Sequence, residues 1–419
     1  MDAIKKSIGV SHHKEKENNK PPKPEPPKPA KLKVVIESPP VCFIRKPALS
    51  TGAIFTGLLK VTVTEPGVVF DTFDLQFLCT EKAKKPVANH CPECSLKTSE
   101  MKKWTVLAAP KPLAPGEHDF PFSWHIPGHL PATTHGHLVD LDYHLFAEAK
   151  TSKGDIITIT EPVLIRRAIQ QPESKESNRN FPPTNILGVM TMDNTIYPMQ
   201  TEIDLQLRIK NVVTHKENAM SRWALRKVIW RIEETEQYVS PACPKHSDKL
   251  GGTGKGIQHE HVKCIGDGVM NKGWKSDFSL EDSSIEMEIT AGLDAAIKSA
   301  CDVEATNGLR VKHHVVIECV INEEWAPDHK PKHIASTGAA RILKTTFGVV
   351  LTDRAGMNIS WDEEAPPVYQ DVPPSPPLYA EAPEYDLKDL EGELENMGIG
   401  SDPSSVAGPS GTAGSSNAP

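Results

Sequence analysis

Residues 114–149 read APGEHDFPFSWHIPGHLPATTHGHLVDLDYHLFAEA. A Pro115-Gly116 turn opens a strand in which aromatic residues alternate with polar ones. The backbone is then bent by Pro127 and Pro131, and a second alternating strand runs through Tyr143 and Leu145. Proline fixes φ near −65° and offers no N–H, so paired prolines interrupt a sheet ladder rather than continue it. Strand, bend and strand, with side chains of period two, are the unit of an antiparallel sheet with one buried face.

The same texture extends in both directions. Upstream lie LKVVIES, IFTGLLKVTVTEPG, VVFDTFDLQFLCTEK and KWTVLAA, and downstream DIITITEPVLIRR. Each is rich in β-branched residues and bounded by Gly, Pro or charged turns. In LLKVTVTE, Leu59, Val61 and Val63 fall on one face and Lys60, Thr62 and Thr64 on the other. After Arg166-Arg167, the polar, Pro-, Ser- and Asn-rich segment 171–185 marks a linker between two domains. A second run of strands follows, beginning with Ile203, Leu205, Leu207 and Ile209 alternating against polar neighbours. A Gly-, His- and Lys-rich insertion occupies 240–273, and helical periodicity is confined to a turn or two around GLDAAIKSA. The expected organisation is all-β: an N lobe over 32–170 and a C lobe over 186–353, two β-sandwiches in tandem.

The ends differ in composition. Residues 1–31 finish in the Pro/Lys-rich PPKPEPPKPAK, and residues 354–419 are acidic, Pro-rich and finally Ser/Gly-rich. Neither has the apolar content to form a core, so both are expected to be disordered tails. Residues 1–33 carry nine Lys against four acids, whereas 354–419 carry twelve acids against Arg354 and Lys388. The net charge of −8 therefore leaves a body near −3, without the basic face expected of a nucleic-acid-binding domain. The first twenty residues lack the apolar core of a secretory signal, and no window reaches the ~20 apolar residues of a membrane span. A cytoplasmic protein with free thiols is expected from this and from eight scattered cysteines.

Leu113, Pro115, Gly116, Phe120, Phe122, Pro127, Leu130, Pro131, Gly136, Tyr143 and Leu145 stand in the order and spacing of the arrestin N lobe, which this half of the chain resembles. Leu309, Val311, His313, Val315 and Ile317 resemble a late strand of the arrestin C lobe. The resemblance covers roughly 32–353 and implies two arrestin-like sandwich lobes. Among arrestins, a tail with PPxY motifs points to the fungal α-arrestins, adaptors that bring ubiquitin ligases to plasma-membrane transporters. Segments 240–273 and KKPVANHCPECSLKTSEMKK are longer than a minimal arrestin lobe requires.

The tail contains two full motifs, Pro366-Pro367-Val368-Tyr369 and Pro376-Pro377-Leu378-Tyr379, and a reduced copy, Ala382-Pro383-Glu384-Tyr385. Paired prolines hold the chain near the extended left-handed helix that docks into the aromatic groove of a WW domain, so little ordering entropy remains to be lost. Tyr369 and Tyr379 each supply a ring for a second pocket, with a hydroxyl for a hydrogen bond. Pro366, Pro367, Tyr369, Pro376, Pro377 and Tyr379 are thus the expected contacts with a WW-domain HECT-type ligase. Leu387, Leu390, Leu394 and Met397 are spaced as one helical stripe for a bound partner. The sequence has no nucleophile elbow, P-loop, zincin motif or dinucleotide fingerprint, and no enzymatic activity is expected.

Cysteine and histidine raise a separate question. Cys91 and Cys94 have the C-x-x-C spacing of a redox pair or of half a zinc site, but lie in a polar loop where they read equally as two incidental thiols. Within the insertion, Cys243 and His246 stand at C-x-x-H spacing, followed by His259, His261 and Cys264. This is close to finger spacing, and Cys243, His246, His259 and either His261 or Cys264 would close one tetrahedral Zn²⁺. Arg166, Arg167, Arg222, Arg226 and Lys227 are candidates for an acidic cargo segment or anionic headgroups, or else form a solvated strand face. The expected function is an adaptor acting by proximity at the plasma membrane, Golgi or endosomes, promoting ubiquitylation, endocytosis and sorting of transporters. The rival readings are a zinc- or thiol-dependent regulator and a retromer-like structural subunit of arrestin fold.

Overall fold

Alternation in the sequence becomes two faces in space. In the computed structural model, Leu59, Val61 and Val63 on strand Ala53–Val63 are at most 2% exposed, while their neighbours face outward. Ile203, Leu205, Leu207 and Ile209 on Ile203–Lys210 behave the same way. The structure describes residues 28–353 apart from 170–173, 200, 217–218, 253, 328–329 and 331. Both expected disordered tails and the WW-binding motifs therefore lie outside the described residues, apart from the last few positions of 1–31.

The first lobe packs a three-stranded sheet against a six-stranded one. Ala53–Val63 is central in the smaller sheet, antiparallel to Ala30–Ile36 and to Gly116–Ile126. Val68–Ala83 is central in the larger, between Val139–Thr151 and Leu96–Leu107. Phe55, Phe77, Phe122, Trp124 and Tyr143 meet between the layers at ring separations of 5.2 to 5.8 Å. Gly57 is required here, since a Cβ would lie 2.7 Å from Phe122 Cζ. The two-proline bend has a specific partner: Tyr143 Oη donates to the Pro131 carbonyl at 2.9 Å.

The second lobe packs a five-stranded sheet against a seven-stranded one. In the first, Ile203–Lys210 lies between Leu187–Met192 and Ser284–Ala291. In the second, Ala219–Pro241 pairs with both Arg310–Pro327 and Gly256–Met270. The fold is the arrestin-like pair of β lobes. One part of the expected linker differs: Lys175–Asn180 is an exposed edge strand, antiparallel to Leu187–Met192. The expected insertion is the far end of a long hairpin, formed by Ala219–Pro241 and Gly256–Met270.

Ala219–Pro241 is 23 residues long, about 75 Å at ~3.3 Å per residue. Its first half lies in the second core, through Leu225, Val228 and Ile232. Its last turns reach the first core, where Tyr238 is buried among first-lobe residues with Val303, Leu309 and Val311. A single strand thus serves both hydrophobic cores.

A candidate metal centre on the seam between the lobes

The seam is rich in hydrogen bonds. Glu236, 1% exposed, accepts hydrogen bonds from the backbone N–H groups of His137, Leu138 and Val139 in the first lobe, the latter two at 3.0 and 3.2 Å. Tyr238 Oη donates to Glu81 at 3.2 Å, and Ser240 Oγ to the Lys85 carbonyl at 2.7 Å. Burial, reinforced by the Glu81 charge, raises the pKa of the Tyr238 phenol above its ordinary value. Deeper in the second lobe, Glu234 takes Lys263 Nζ at 2.9 Å, His313 Nε2 at 3.3 Å and the Ala300 N–H at 2.8 Å. His313 Nδ1 lies 2.6 Å from Asp302.

Beyond Ser240 the hairpin end meets a loop of the first lobe. Each contributes a short turn of the same design, Cys91-Pro92-Glu93-Cys94 and Cys243-Pro244-Lys245-His246. In the first, Cys91 O accepts the N–H groups of Cys94 and Ser95 at 3.2 and 3.1 Å; in the second, Cys243 O accepts that of His246 at 2.9 Å. Each turn brings its Cys or His pair to one side. Glu93 and Lys245, at equivalent places, pair at 2.7 Å across the seam.

The four side chains converge. Cys91 Sγ is 3.9 Å from Cys243 Sγ, and His246 Nδ1 is 3.5 Å from Cys94 Sγ and 3.1 Å from Cys243 Sγ. All four donor atoms lie within 4.8 Å of one another. Cys94 and Cys243 are 2% and 5% exposed. Among the described residues this is the one group of three or more His, Cys, Asp or Glu side chains arranged to hold a metal ion.

The grouping corrects the ligand set expected within the insertion. His259, His261 and Cys264 sit on the continuous strand Gly256–Met270, opposite Tyr238, Glu236 and Glu233. An extended strand cannot fold these side chains back onto the Cys243 turn. His261 stacks on His137 with ring centroids 3.6 Å apart, Cys264 faces the Gly266 carbonyl at 3.4 Å, and His259 Nε2 is buried without a partner. The two side chains that do converge on Cys243 and His246 are instead Cys91 and Cys94, 152 residues away.

Of the five expected basic residues, Arg167 is buried, Arg226 is exposed, and Arg166, Arg222 and Lys227 are half-buried. Arg167 is 5% exposed and donates to the carbonyls of Arg45, Gly128 and Leu130 at 2.9, 2.6 and 2.8 Å. Burial lowers the affinity of its guanidinium for its proton. Arg222 and Arg226 both pair with Glu324, the former at 2.7 Å, and Arg222 also stacks over Phe278. Lys227 follows a bulge and is half-buried, and Arg166 neighbours the buried Arg167 on strand Ile165–Ala168.

Two tandem β lobes sharing one long strand, with an aromatic first core and a tyrosine-braced proline bend, define an arrestin-like protein. Comparison with known proteins agrees. Residues 74–250 match the family described as LDB19, Arrestin_N terminal like. An uncharacterized protein of Schizosaccharomyces pombe is 30% identical over 85% of this chain and 96% of its own length, and a second from the same organism 29% identical over 84% and 89%. Protein LDB19 of Eremothecium gossypii is 23% identical over 86% of this chain and 83% of its own. The chain belongs to this arrestin-related family. Membership supports a general role as a trafficking adaptor, in a family that is in general non-enzymatic. Among the described residues no helix is long and apolar enough to cross a membrane.

Proposed function

We propose that the protein is an adaptor that recruits a WW-domain HECT-type ubiquitin ligase to plasma-membrane transporters and so promotes their ubiquitylation, endocytosis and sorting. The observation that carries this reading is the pair of complete PPxY motifs, ending at Tyr369 and Tyr379, on a chain whose body is an arrestin-family scaffold. Tethering ligase and cargo to one chain raises their mutual concentration to roughly millimolar, so the adaptor needs no catalytic side chain. The cargo-binding surface belongs to the β lobes, and its sites of action are the plasma membrane, Golgi and endosomes. The decisive experiment is capture of a tandem WW fragment by the full chain. Binding that depends on Tyr369 and Tyr379 supports the reading, and binding indifferent to both removes its basis.

A further inference from the structure

We propose that Cys91, Cys94, Cys243 and His246 form a structural Zn²⁺ site that pins the first lobe to the second. Zn²⁺ takes thiolate at about 2.3 Å and imidazole nitrogen at about 2.0–2.1 Å, which in a tetrahedron separates two sulfurs by roughly 3.8 Å and sulfur from nitrogen by roughly 3.5 Å. The observed 3.9 Å between Cys91 and Cys243 sulfurs and 3.5 Å between Cys94 sulfur and His246 Nδ1 match those edges, and the 3.1 Å between Cys243 sulfur and His246 Nδ1 is a few tenths of an ångström shorter. A disulfide would require the two sulfurs at about 2.05 Å and would account for neither Cys94 nor the inward-facing His246.

The donor set selects the metal. Three thiolates and one imidazole suit Zn²⁺ and disfavour hard, oxygen-seeking cations such as Mg²⁺ and Ca²⁺. Four protein ligands fill the tetrahedron and leave no position for a substrate or activated water, so the role is structural. On binding, each coordinating thiol releases its proton to solvent and forms a bond to the ion. The three thiolates would leave the centre with one net negative charge, beside the Lys245–Glu93 ion pair at its rim.

The lobe turns explain why the ion is needed at this place. Each turn is a loop with only one ligand side chain buried, and each supplies two of the four donors. Neither lobe holds a closed site by itself. The centre therefore acts at the open end of the seam, beyond the reach of Glu236 and Tyr238, and this inference stands independently of ligase recruitment.

The test uses the full chain, expressed with zinc and purified without chelators. Elemental analysis is expected to give about one zinc per chain, lost on substitution Cys94→Ser or Cys243→Ser and retained in Cys264→Ser. Titration of the wild-type thiols with an organomercurial, which requires no variant to fold, is expected to release the zinc. Hydrogen exchange is expected to rise at 242–250 when Cys94 on the opposite lobe is replaced, the signature of a shared ion. Zinc-free protein, full zinc content in Cys243→Ser, or a Cys91–Cys243 disulfide in the purified protein would each overturn the proposal.

Discussion

Glu236 on the second lobe lies against Gly136 on the first so closely that a Cβ at that glycine would collide with the carboxylate. The same carboxylate receives the N–H groups of the three following residues, so it cannot swing aside without leaving buried donors unpaired. Gly136→Ala and Glu236→Ala are expected to damage the same contact from opposite sides. Each should destabilise the protein by about 2–4 kcal/mol, with the double variant falling well short of the sum. Chemical denaturation of the four proteins reads the coupling, and full additivity would refute it.

Tyr238 separates packing from hydrogen bonding. Tyr238→Phe keeps the ring and loses only the donation to Glu81, and should cost about 1 kcal/mol. Tyr238→Ala empties a site in the first-lobe core and should cost about 3–5 kcal/mol. Hydrogen exchange should show that loss in Val68–Ala83 of the first lobe, although the residue belongs to a second-lobe strand. Loss confined to the second lobe would contradict the packing.

The buried pair Glu234 and His313, with Asp302 beside the imidazole, predicts a pH dependence. Burial alone would lower the His313 pKa, but hydrogen bonds to Asp302 and Glu234 outweigh it and raise the value above its ordinary 6.5. That contribution is fully present below 6.5 and is lost as pH rises through the folded value. Burial opposes the Glu234 charge, but His313, Lys263 and the Ala300 N–H hold its pKa below the ordinary 4.5. Its contribution is present above 4.5 and is lost as pH falls through the folded value. Glu234 and His313 together therefore favour folding most between about pH 4.5 and 6.5. His313→Gln should flatten the decline above that window, as measured by denaturation across pH. An unchanged slope would count against the assignment.

The two PPxY tyrosines are ten residues apart in sequence, a stretch that would cover roughly 30 Å as polyproline at ~3.1 Å per residue. Tyr369→Ala or Tyr379→Ala alone is expected to weaken capture of a two-WW fragment partially, and the double substitution to abolish it. Simultaneous engagement adds ~10²-fold to apparent affinity. Calorimetric titration of wild type, singles and double distinguishes the cases, and wild-type-like binding by the double variant would exclude tail-mediated recruitment.

What the sequence disclosed followed the range of its signals. Leu59, Val61 and Val63 declare their face through local period two, and the fold follows from many such runs. Lys175–Asn180 does not, because KESNRN has no apolar face and is extended only through its pairing with Leu187–Met192. Arg166-Arg167 announces charge without saying which guanidinium turns inward, and Arg167 is the one that meets three carbonyls. Both halves of the metal centre were visible as C-x-x-C and C-x-x-H. Their union was hidden, since no periodicity reports a contact across 152 residues. The clue lay in Cys91-Pro92 and Cys243-Pro244, two like turns each one pair short of a site.

The strand common to both cores has a consequence for how the protein can fail. Were the second lobe to melt, Tyr238, Leu309 and Val311 would leave the first, opening a cavity in its hydrophobic core. Were the first to melt, the far third of the longest hairpin would lose the surface that buries it. Neither half therefore has a native state that outlives the other, and the protein should unfold in one transition despite its two cores. A chain cut between the lobes would yield two incomplete halves, each exposing the apolar surface the other had covered.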